Sequence, residues 1–79
     1  MDRTEYEADI ANRIAIAARI PHEQAAAIVA WGSHHVDDLI DYRQPVVVAW
    51  WIADEAGLPD RALSRLERQP LYAQPNPAR

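Results

Sequence analysis

An unbroken apolar run opens at Val46 and continues through Ile52, carrying two of the three tryptophans in the chain. Val, Ile and Trp favour strands, so the run by itself fits a buried strand or a buried helix. Its flanks decide for a helix. Pro45 suits a first helical turn, where its missing N–H is no loss, and Gly57 followed by Leu58 and Pro59 reads as a left-handed cap and stop. A strand would also need a partner, and no other segment of the sequence alternates.

At about 100° per residue, Val46, Ala49, Trp50, Ala53 and Ala56 fall on one face of this helix, Val47 with Trp51 on a second, and Val48 with Ile52 on a third. One amphipathic stripe cannot hold them all. Either the helix is enclosed by its own domain on most sides, or one face is kept for another chain. Enclosure is the commoner outcome for such a helix. If a face is kept, Trp51 with Val47 is the expected one, because the flanking Asp54 and Glu55 complete an aromatic anchor with a polar rim. Trp31 is the second candidate anchor.

The remaining sequence alternates helical periods with Pro and Gly stops. Thr4 and Glu7 have the spacing of a capping box, and Tyr6, Ile10, Ile14 and Ala17 recur at helical intervals, which leaves Arg13 and Arg19 toward solvent. Pro21 ends that helix and opens the next, in which Ala25, Ala26, Ala27 and Ala30 allow close approach while Ile28, Val29 and Trp31 supply volume. Gly32 terminates it. Ser33 is the expected N-cap of a third helix, with Val36, Leu39 and Ile40 as its apolar stripe and Asp37, Asp38 and Asp41 on the other side. After Pro59, a short fifth helix turns Ala62, Leu63 and Leu66 inward and lines up Arg61, Arg65 and Arg68. From Pro70 onward three prolines and little apolar matter predict a disordered tail over 70–79, in which only Leu71 and Tyr72 have something to bury. The expectation is an all-α domain of about five short helices over 1–69, with the helix at 45–57 central.

Residues 20–42, IPHEQAAAIVAWGSHHVDDLIDY, resemble in their spacing the last two helices of ubiquitin-associated domains: a short loop, a helix begun by Glu-Gln-Ala, a small-residue turn, then a helix with Val36, Leu39 and Ile40. The resemblance implies a small helical bundle. The Gly-Phe loop that those domains use for binding is replaced by Arg19 and Ile20, so no ubiquitin site is carried over.

At 79 residues the chain has room for one core, and without cysteine neither disulfides nor a thiolate metal site can staple it. No charged segment followed by an apolar one opens the sequence, and the run at 46–53 is too short to cross a bilayer, so a cytoplasmic protein is expected. Up to Gln44 eight acids stand against four arginines, and beyond it four against four, for a net charge of −4. Eight arginines without a lysine, beside abundant alanine, match the composition of GC-rich genomes such as those of actinobacteria and their phages.

The chemistry-bearing residues are few. His34 and His35 with Asp37, Asp38 and His22 form the one cluster that suggests a metal. Capping is the expected role of Ser33 and the aspartates, and adjacent histidines are expected to diverge, so no metal or other cofactor is predicted. Neither a phosphate loop nor a nucleophile with its base stands out, so neither enzyme activity nor a small-molecule substrate is expected. A helix-turn-helix built around Gly32 would place three aspartates against phosphates, which leaves Arg61, Arg65 and Arg68 as the only nucleic-acid candidates.

The function expected on these grounds is an acidic, non-enzymatic protein-interaction module, an adaptor or regulator with another protein as partner or a homodimer joined across the central helix. Its anchors would be Trp51 and Val47, rimmed by Asp54 and Glu55, with Trp31 second. The alternative is a phage- or plasmid-type inhibitor that blocks a nucleic-acid-binding protein, with Asp37, Asp38 and Asp41 in place of phosphates. A DNA-binding regulator acting through the arginine stripe is the third reading.

Overall fold

A computed structural model describes residues 2–70 as five helices, with no strand among the described residues. They are α1 (Arg3–Ala18), α2 (His22–Trp31), α3 (Ser33–Leu39), α4 (Pro45–Glu55) and α5 (Asp60–Glu67). No helix among them is long and apolar enough to cross a membrane. The tail expected over 70–79 falls outside the described residues except for Pro70, as do Leu71 and Tyr72.

α4 is the centre of the arrangement, packing against each of the other four helices. Pro45 occupies its first turn, and Gly57 takes the left-handed conformation (φ +82°) just past its end. Val48, Ala49, Ile52 and Ala53 are fully buried and meet Ile10 and Ile14 of α1, Val36 of α3 and Leu66 of α5 in one core. Two of the three apolar faces of α4 are therefore enclosed. The third, that of Val47 and Trp51, is not.

Two local expectations are corrected. α1 starts two residues earlier than the Thr4 reading implies: Asp2 is its N-cap, accepting from the Glu5 N–H at 2.8 Å, and Glu5 reaches back to the Asp2 N–H. Ser33 lies inside α3, whose N-cap is Gly32 with no side-chain cap. Gly32 ends α2 as expected, standing as its C-cap with φ −96°. Its role is steric, since a Cβ there would stand 2.9 Å from both Cγ1 and Cγ2 of the buried Ile52. The absence of a side chain lets the α2–α3 junction rest directly on α4.

Arg13, expected in solvent, is only 4% exposed. Its Nε donates to Asp9 Oδ1 at 2.6 Å, and its Nη1 donates to Gln69 Oε1 at 3.2 Å and to the Pro70 carbonyl at 2.7 Å. Gln69 Nε2 returns a bond to the Arg13 carbonyl at 3.1 Å. This guanidinium ties the segment after α5 to the middle of α1. The carboxylate and two oxygen acceptors of a planar donor fork make its burial tolerable.

Candidate functional site

Trp51 is 39% exposed although it stands in the most apolar stretch of the chain. The cause is the rotation of α4: the neighbours Trp50 and Ile52 point toward α5 and the core, which turns Trp51 outward. Trp50 is half-buried and donates its Nε1–H to Glu67 Oε2 at 3.0 Å. Between α4 and α5 lies a groove of about 370 Å³, with Val47, Trp50 and Trp51 on one wall and Leu66, Glu67 and Gln69 on the other. Asp54 and Glu55 are exposed on the last turn of α4. The groove is thus mainly apolar, and Glu67 is the carboxylate in its lining.

The other residues singled out in the sequence do not join this surface. Trp31 is 58% exposed at the end of α2 and takes no part in the groove. Asp37 pairs with the Arg3 guanidinium, whose own proton is held more tightly as a result, first through the hydrogen bond to Asp37. Asp38 and Asp41 are exposed, and Asp41 borders a separate cavity of about 300 Å³ together with Tyr6, Tyr42 and Arg43. The arginine stripe is divided: Arg61 and Arg68 are exposed, whereas Arg65 Nη1 donates to the Ala17 carbonyl at 2.9 Å and so closes the C-terminal turn of α1.

The histidine cluster differs from its expected form. His34 and His35 converge, with ring centroids 4.1 Å apart. They meet neither Asp37 nor Asp38 but Glu55, whose Oε1 lies 3.0 Å from His35 Nε2 and 3.9 Å from His34 Nε2. The steric role of Gly32 explains this. By seating the start of α3 on Ile52, it places the first turn of α3 against the last turn of α4. One helical turn separates Trp51 from Glu55 on that face, and the His35 ring stands 6.4 Å from the Trp51 ring. His35 Nε2 is buried, and Glu55 lies off the line of an N–H bond, so this nitrogen has an ionic neighbour but no hydrogen bond. The four-residue spacing of Trp51 and Glu55 was visible in the sequence, but nothing there pairs Glu55 with His35.

No protein-family model matches this sequence, and neither a curated protein nor a solved structure matches it.

Proposed function

We propose that the chain is a non-enzymatic docking module that uses the Trp51 face of α4 to take a segment of another protein, one with an apolar anchor flanked by basic residues. The observation that carries this reading is the exposure of Trp51 at the mouth of the α4–α5 groove, on a helix whose other apolar faces are buried. Tryptophan at the edge of a desolvating pocket is the commonest kind of interface anchor. The basic flanks of the partner follow from the charge around it. Glu67 lines the groove, Asp54 and Glu55 are exposed within four residues of Trp51 on α4, and the chain as a whole carries −4, which favours and steers a cationic segment.

The inhibitor version rests on Asp37, Asp38 and Asp41, and one of these is already engaged by Arg3. The DNA-binding version rests on Arg61, Arg65 and Arg68, and Arg65 is engaged by the Ala17 carbonyl. On the Trp51 surface Glu55 and Glu67 also have partners within the chain, but the anchor itself, Trp51, is left exposed, which is why we place it first.

Panning the immobilised chain against a random peptide library tests the proposal. Enriched peptides should carry an aromatic or aliphatic residue between Arg or Lys, bind more weakly as salt rises, and be lost on Trp51→Ala while helicity is kept. A library that enriches nothing, or that enriches the same peptides on Trp51→Ala, overturns it. A dimer in sedimentation equilibrium that Trp51→Ala dissolves would assign the face to a second copy instead.

A further inference from the structure

We propose that His34, His35 and Glu55 bind a divalent transition metal of the zinc type, held by the two imidazole Nε2 atoms and the Glu55 carboxylate, with water in the remaining position. The inference goes beyond the docking surface and does not depend on it.

The geometry comes first. The three ligand atoms all lie within 4.8 Å of one another. Zinc bonds of about 2.0–2.2 Å set the edges of a tetrahedral ligand shell at about 3.4 Å. The two histidine-to-carboxylate distances, 3.0 Å and 3.9 Å, lie on either side of that edge. His34 and Glu55 are exposed, so their side chains are free to close on an ion, while the more buried His35 (17% exposed) holds the fixed corner.

The chemistry points to a cation. Imidazole lone pairs and a carboxylate are acceptors, and the His35 Nε2 is shut away from water without a hydrogen bond. Glu55 is the last residue of α4, where the helix dipole is already negative, and no basic residue lies in that turn. One metal ion serves all three ligands at once. Two imidazoles and one carboxylate suit zinc, nickel or copper rather than magnesium or calcium, which call for more oxygen ligands. Three protein ligands leave the shell open, so the ion keeps a water or accepts a ligand from outside.

The probe is zinc, titrated calorimetrically into tag-free full chain previously stripped with chelator, with cobalt(II) as the spectroscopic substitute. One zinc per chain should bind, cobalt should develop the visible bands of a four-coordinate site, and magnesium should not compete. Glu55→Gln and His34→Ala, both at exposed positions, should each keep the helical signal and weaken zinc at least about tenfold. His22→Ala should change nothing. Absence of saturable zinc binding, or affinity unchanged in both ligand variants, overturns the proposal. Because no peptide is present, the result is independent of whether the Trp51 face docks a partner.

Discussion

Two polar clusters among the described residues are built in opposite ways. On α1, Arg13 and Asp9 form a close pair within one helix, and the Arg13 Nη1 donates to Gln69 and to the Pro70 carbonyl. At the other cluster, His34 and His35 of α3 meet Glu55 of α4 across a helix–helix contact, and the most buried polar atom has no hydrogen bond. The first pairs its charge and ties the segment just after α5 to α1. The second leaves a buried imidazole nitrogen without a hydrogen bond beside a carboxylate, and the metal proposal rests on that feature. Burial of a polar group does not mark function by itself; a buried polar atom without a hydrogen bond calls for an explanation.

The sharpest way to break this contrast is Arg13→Ala. It leaves Asp9 buried without its partner and frees the segment after α5, so a loss of roughly 3–5 kcal/mol in urea unfolding is expected. Gly32→Ala should have the next largest effect. Its Cβ would press on Ile52, a fully buried side chain with no room to swing aside, and overpacking of this kind costs about 1–3 kcal/mol in thermal or urea melts. The same substitution moves α3 away from α4, so it should weaken zinc binding although Gly32 is not a ligand.

Tyr6→Phe sharpens the comparison on the α1 side. The phenol donates to the Arg43 carbonyl at 2.8 Å, and losing that bond should lower stability by about 1 kcal/mol. Burial, aided by the Asp9 charge, raises the Tyr6 pKa above its ordinary value. The unfolded phenol ionises near pH 10 while the folded one keeps its proton, so stability falls as pH rises past that value. The Phe variant should lose this part of the alkaline decline in a pH series of melts. The smallest effect belongs to Glu55→Gln: without metal it should stay within about 0.5 kcal/mol of the parent, and only added zinc should separate the two in a melt.

Much of the fold was legible because local rules and global packing agree. Pro45 and Gly57 bracket α4, Pro21 separates α1 from α2, and Leu63 and Leu66 turn α5 inward, each for a reason confined to a few neighbouring residues. Arg13 was misread because an arginine beside an apolar stripe usually reaches water. Its acceptors, Gln69 and Pro70, lie more than fifty positions away. Of the candidate surface, the divergence of Trp50 and Trp51 followed from helical rotation alone. Which of the two would be covered depended on where α5 docks.

The order of elements, their helical character and the central place of Val46 to Ile52 were determined by the sequence itself, because periodicity, capping and proline stereochemistry act over a turn or two. The meeting of His34 and His35 with Glu55, and the burial of Arg13, were decided only by tertiary structure. Both depend on how closely helices approach. At Gly32 that distance is set by a missing side chain against Ile52, a contact that no local pattern encodes.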